Sequence, residues 1–181
     1  MKQCVIYAAV AAMAIVLSLG PGPAVAGETV TQETLLDRIQ IEDLLVRYYV
    51  DMSAGKSHDL AQYYTEDAIL DVNGNISKGR AAIEKLYGGT EGGRPAQAGR
   101  MHMILSNPVI SVDGNTAKAW VIWTGVMNDN IRTAPRLLEQ GREYDELVKR
   151  NGRWYIQKRF VTADSGMPAM WDSTYKPREH R

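Results

Sequence analysis

Apolar side chains recur at Ile41, Leu45, Tyr48, Tyr49 and Met52, the three-and-four spacing of a single helix face, and predict a helix from about Thr31 to Ser53. Thr29 and Gln32 supply a capping box at its start, and Gly55 closes it. A short second helix is expected from His58 to Tyr64 with Ser57 as N-cap. Ala68 to Val72 alternates like a strand and ends in the turn dipeptide Asn73-Gly74. Gly79 to Tyr87 places Ile83, Leu86 and Tyr87 on one side of a third helix. Beyond it the pattern turns wholly to strand. Met101 to Val112 joins Thr116 to Met127 through Asp113-Gly114, and Arg142 to Arg150 joins Arg153 to Ala163 through Asn151-Gly152. Helices first and a long antiparallel sheet afterwards predict an α+β domain with the helices packed on one sheet face.

Two segments stand outside that pattern. Met1 to Ala26 has the three-part layout of a secretory signal: Lys2, an apolar run from Val5 to Leu19, and Gly20-Pro21-Gly22-Pro23 before the small residues Ala24-Val25-Ala26. Residues 27–181 then form one domain with a tail from about Asp164, expected in the periplasm or outside the cell with no stable membrane anchor. The tail carries Met167, Met170, Trp171 and Tyr175, so it is expected to dock. Gly88 to Gly99 is a glycine-rich connection without the lysine and hydroxyl of a phosphate-binding loop.

Composition narrows the chemistry. The only cysteine, Cys4, leaves with the signal, so neither a disulfide nor a thiolate metal site is expected. Of 21 basic residues only Lys2 is lost against 21 acidic ones, a net charge of −1 without a basic stripe, which argues against nucleic acid as a partner. His58, His102 and His180 lack ligand spacing, and no nucleophile elbow or dinucleotide fingerprint is present; no metal and no cofactor are expected.

The string RIQIEDLLVRYYVDMSAGKSHDLAQYYTEDAIL, followed by KGRAAIEKLY, MHMILSNPVISVDGNTAKAWVIWTGV and GREYDELVKRNGRWYIQKRFV, resembles a SnoaL-like domain of the nuclear transport factor 2-like superfamily. The resemblance runs from about Leu35 to Asp164. It implies a cone, a strongly curved antiparallel sheet around three helices with a pocket in its open end, and a homodimer through the outer sheet face. The superfamily includes dehydratases, isomerases, cyclases and non-catalytic members, so the fold does not choose among them.

Within that frame the expected catalytic residues are His102, Asp51 and Tyr48. His102 takes a position similar to a catalytic histidine of scytalone dehydratase-like members, and imidazole titrates near neutral pH. Tyr48, with Tyr49, Tyr63 and Tyr64, offers hydroxyls that hold a substrate oxygen in such relatives. Asp51 is a candidate to orient His102 or to act as a base. The acid expected from the resemblance falls on Ser53, and the second histidine has no counterpart in Leu138 to Gln140. Tyr49, Tyr64, Trp123 and Tyr144 are the expected substrate-binding residues, with Arg142 beside Tyr144. Strand parity turns Trp123 inward with Ala117, Ala119 and Val121 and leaves Trp120 outside for a dimer. Arg159 is expected to pair with an acid. Two functions compete: a cofactor-free lyase or isomerase for a hydrophobic oxygenated molecule, and a non-catalytic binding module with the same pocket. A protein–protein module using Trp120 and the tail is a third.

Overall fold

The computed structural model describes residues 30–54, 56–88 and 100–166. The expected signal segment, Gly55, the connection from residue 89, and the tail with Met167, Met170, Trp171, Tyr175 and His180 lie outside the described residues. Helix α1 spans Gln32–Ser53, a 3-10 helix Ser57–Tyr63, and α2 Arg80–Gly88. The strands are β1 (Tyr64–Val72), β2 (Asn75–Lys78), β3 (Arg100–Asp113), β4 (Thr116–Asn128), β5 (Arg136–Arg150) and β6 (Arg153–Ser165), ordered β2-β1-β6-β5-β4-β3 in one curved, unclosed sheet. Every neighbouring pair is antiparallel except β1 with β6. The α+β architecture is the expected one.

Local chemistry sets the boundaries, sometimes one step from where the pattern placed them. The capping box of α1 is Thr31 with Thr34, not Thr29 with Gln32. The Thr34 N–H donates to Thr31 Oγ1 and the Thr31 N–H to Thr34 Oγ1, satisfying donors that the first turn leaves open. The second helix is a single tight 3-10 stretch whose first residue is Ser57 and whose N-cap position is Lys56, without a side-chain cap, so Ser57 is not its N-cap. In the β3–β4 hairpin Asp113 still pairs with Thr116, and the turn is Gly114-Asn115. Asn151-Gly152 is the turn expected, with φ of 52° and 78°.

The curvature has visible causes. Register shifts interrupt β3 between Ser106 and Val109, where Asn107 sits at φ 53°, and interrupt the β4–β5 and β5–β6 ladders. An extra residue in one strand bends the pair and increases its twist. α1 lies in the concavity and buries Ile41, Leu44, Leu45, Tyr48 and Tyr49 against β3 and β6. At one end the space is filled by Ile110, Val112, Ala117, Leu147, Trp154 and Ile156, a dry apolar core. At the other end Met101, Met103 and Leu105 point to the same concave side yet are only half-buried, so among the described residues this is the open end of the cone.

Candidate functional site

Between the apolar core and the open end the concave face turns polar. Alternation along β5 sends Glu139, Gly141, Glu143, Asp145 and Leu147 inward, and β6 sends in Arg159 opposite Asp145. Glu143, Asp145 and Arg159 are fully buried. Arg159 grips Asp145 as a fork, Nε to Oδ1 at 2.7 Å and Nη2 to Oδ2 at 3.0 Å. The same Nη2 lies 3.0 Å from Glu143 Oε1, close enough for an ion pair but without hydrogen-bonding angles. The guanidinium carbon sits 4.2 Å over the Tyr48 ring.

The helices close this cluster with hydroxyls. Tyr49 donates to Glu143 Oε2, Tyr48 and Tyr87 share a hydrogen bond, and Tyr64 donates to Tyr48 Oη at 3.3 Å. Tyr48 makes edge contacts with the rings of Tyr49, Tyr63, Tyr64 and Tyr87. α1 brings Tyr48 and Tyr49, β1 brings Tyr64, and α2 brings Tyr87, so three elements meet over one arginine.

Burial dominates the electrostatics. It pushes Glu143 up to about 8; Arg159 pulls against that rise and Asp145 adds to it. Burial also lifts the hydroxyls of Tyr48, Tyr49, Tyr64 and Tyr87 well above the ordinary tyrosine range, so they act as donors and not as phenolates. Burial works against the charge of Arg159, but Asp145 and Glu143 outweigh it and hold the guanidinium protonated. With Glu143 neutral at pH 7, one cation faces one anion, the cheapest charge state for a dry site.

Toward the open end, Trp123 lies against Gly141. A Cβ at that glycine would come within 2.4 Å of Trp123 Cζ2 and 2.2 Å of the Thr162 carbonyl, so only glycine admits the indole. Trp123 Nε1, Glu143 Oε1 and Arg159 Nη1 are buried without a hydrogen-bond partner, on three successive rows of the concave face. Such atoms are rare in folded proteins, because leaving one unsatisfied costs about 1–3 kcal/mol.

The structure gathers some of the expected residues and separates others. Tyr48, Tyr49 and Tyr64 share the cluster, and Trp123 is buried on the concave face as its parity predicts. His102 does not join them. Its neighbours Met101 and Met103 turn inward, so His102 is exposed on the convex face with Val126. Asp51 is not a base of raised pKa: the Tyr63 hydroxyl at 2.7 Å, and then Lys56 at 3.1 Å, outweigh its burial and lower it. Tyr144 and Arg142 do share a face, but it is the convex one, where Tyr144 packs on Phe160. Ser53 accepts the Met103 N–H at 3.2 Å and ties α1 to the rim. Arg159 pairs with two acids, as a structural partner would.

Glu143, Asp145 and Tyr87 were missed by the sequence reading. The signal was the parity of Leu147 with Gly141, which puts the acids inside and the tyrosine outside, against the usual preference of these residue types.

Solved structures of the same fold come from several bacteria. An NTF2-like protein with a cystatin-like fold from Novosphingobium aromaticivorans is 23% identical, with a TM-score of 0.63, covering 80% of this chain and 92% of that one. A protein from the same organism named "Putative Scytalone Dehydratase" is 20% identical (TM-score 0.63, 82% and 94% covered). Aln2 from a Streptomyces species is 15% identical (TM-score 0.63, 75% and 94% covered). These likenesses establish the fold alone. No curated protein matches the sequence. The family model of the SnoaL-like domain matches residues 33–160, and the chain therefore belongs to the SnoaL-like domain family.

Proposed function

We propose that this domain is a cofactor-independent lyase or isomerase for a hydrophobic, oxygen-bearing small molecule bound in the open end of the cone, with Glu143 as its proton carrier. The observation that supports this most is a fully buried carboxyl poised at about 8, held through one oxygen by Tyr49 and left without a hydrogen bond on the other. A carboxylic acid kept neutral at pH 7 donates protons that an ordinary carboxylate cannot. In a dehydration, the Glu143 O–H protonates the leaving hydroxyl and the C–O bond breaks. The resulting carboxylate removes a proton from the adjacent carbon, whose C–H pair becomes the new C=C bond. Water departs and Glu143 is restored. Arg159 steadies the transient carboxylate and Tyr49 fixes its orientation. Proton transfer of this kind contributes about 10² to 10⁴-fold.

The test uses aromatic β-hydroxy ketones and the rise of enone absorbance. Glu143→Gln should lower turnover about 100-fold or more while circular dichroism stays unchanged. Undiminished turnover in that variant would remove Glu143 from the mechanism.

A non-catalytic binding module is favoured by one observation: His102, the residue the family resemblance points to, is exposed on the convex face. Binding of these ketones by calorimetry, with no turnover in the wild type, would select that reading. Export and a homodimer through the convex face belong to both readings. The row Val109, Trp120, Tyr144 and Phe160, in register across four strands, supplies an apolar strip suited to a dimer. Trp120→Lys should convert a dimer to monomer in light scattering.

A further inference from the structure

Helix α1 has two apolar faces, and the fold uses one. Ile41, Leu44, Leu45, Tyr48 and Tyr49 face the cone. On the opposite side Leu36, Ile39, Val46 and Val50, with Leu35 beside them, are each 45–63% exposed. With Asp43 between them, Leu36, Ile39, Val46 and Val50 follow steps of three and four, the spacing of a helix that packs along a second segment. Beside this stripe runs a groove of about 330 Å³ between α1 and the β5–β6 turn, lined by Gln40, Asp43, Leu44, Arg47, Tyr63 and Trp154 among others. Gln40 Oε1 is buried there without a partner.

We infer that the stripe is covered by the chain's own C-terminal segment, residues 167–181. Three observations carry this. The first is position. β6 ends at Ser165 beside Gln140; Gln140 pairs with Thr124, Thr124 with Ile104, and the next residue, Met103, is bonded to Ser53 at the end of α1. The segment therefore leaves the sheet at the level of Val50, after Gly166 at φ 78°. The second is length. Three strand spacings to the β3 edge take ~15 Å and the stripe from Val50 to Leu36 ~21 Å, against a reach of ~50 Å for fifteen extended residues. The third is chemistry. Met167, Met170, Trp171 and Tyr175 match the apolar stripe. Lys176, Arg178 and Arg181 follow them, and the flank of the stripe carries the exposed acids Glu33 and Glu42. Running from Val50 toward Leu36, Trp171 falls beside Val46 and Val50, and the Trp and Tyr N–H and O–H groups supply donors of the kind Gln40 Oε1 lacks.

Cysteine pairing tests this in the full chain with Cys4→Ser, which leaves no native thiol. Arg47→Cys with Ser173→Cys should form an intrachain disulfide under mild oxidation, seen as a monomer on a non-reducing gel and as a linked peptide by mass spectrometry. A disulfide dimer from Arg47→Cys alone would show that a second copy covers the stripe and would overturn the inference, as would failure of the pair to link. A stop codon after Gly166 supplies a second readout: binding of the hydrophobic dye ANS should rise several-fold with circular dichroism unchanged. Unchanged dye binding by the folded, shortened chain would also overturn it.

Discussion

Two arginine–aspartate forks stand on opposite faces of one sheet. On the concave face Arg159 holds Asp145 at 2.7 and 3.0 Å; on the convex face Arg142 holds Asp164 at 3.2 and 3.0 Å. The bonds are nearly the same, but the surroundings differ. Arg159 is 0% exposed beneath the Tyr48 ring, whereas the side chains of Arg142 and Asp164 are 38% and 43% exposed. Water screens the convex pair and replaces it at little cost. The concave pair has no such replacement, and every nearby ionisable group answers to it. Burial pushes Glu143 up to about 8 against the pull of Arg159, with a smaller push from Asp145, so it gives up its charge near neutral pH. Identical hydrogen-bond geometry therefore carries different energetic meaning, and burial decides which fork can tune a proton carrier.

The largest effect should come from breaking the concave fork. Arg159→Met leaves Asp145 and Glu143 without their cation and should cost about 3–5 kcal/mol in urea unfolding. A loss below 1 kcal/mol would erase the contrast between the faces.

Next is the pH dependence that the concave site imposes. The folded state keeps Glu143 protonated up to about 8, while the unfolded chain releases that proton near 4.5. Between those values the folded state binds more protons, so this group lowers stability as pH rises and adds no slope above about 8. Relative to Glu143→Gln, the wild type should lose up to about 1.4 kcal/mol per pH unit across that window, measured by unfolding at each pH. Parallel curves would mean an ordinary carboxylate. If Glu143 is the proton donor, turnover should also fall as pH climbs through about 8.

Gly141→Ala should follow at about 1–3 kcal/mol, since its Cβ collides with the Thr162 carbonyl and the Trp123 ring. Smallest of all, Arg142→Ala should change stability by no more than about 1 kcal/mol, less in high salt. A larger loss at Arg142 would show that the convex pair is sequestered, as a dimer interface there would make it.

Much of this architecture was legible in the order of residues. Helix α1 and its buried set Ile41, Leu45, Tyr48 and Tyr49 follow from a 3.6-residue period that no other element can satisfy. The turns at Asn73-Gly74 and Asn151-Gly152 follow from backbone sterics local to two residues. Trp123 was placed by its parity with small apolar neighbours on a strand of clean alternation. The site was less legible. β5 alternates between two faces that both carry charged groups, so hydrophobicity does not rank them, and the expectation that Tyr144 lines the pocket turns the wrong face inward, away from Glu143 and Asp145. On β3 a one-residue difference separates Met103, facing the cone, from His102, facing water.

The amino-acid order alone specified the α+β class, the inward face of α1 and the turns at Asn73-Gly74 and Asn151-Gly152, because each depends on contacts or periods within a few residues, and the family, because such patterns repeat along most of the chain. Which charges became chemistry was decided only by the assembled sheet. Burial, and with it the shift of Glu143, depends on what β6, α1 and α2 bring to the far side of β5 from up to 94 positions away, and no local pattern encodes that distance.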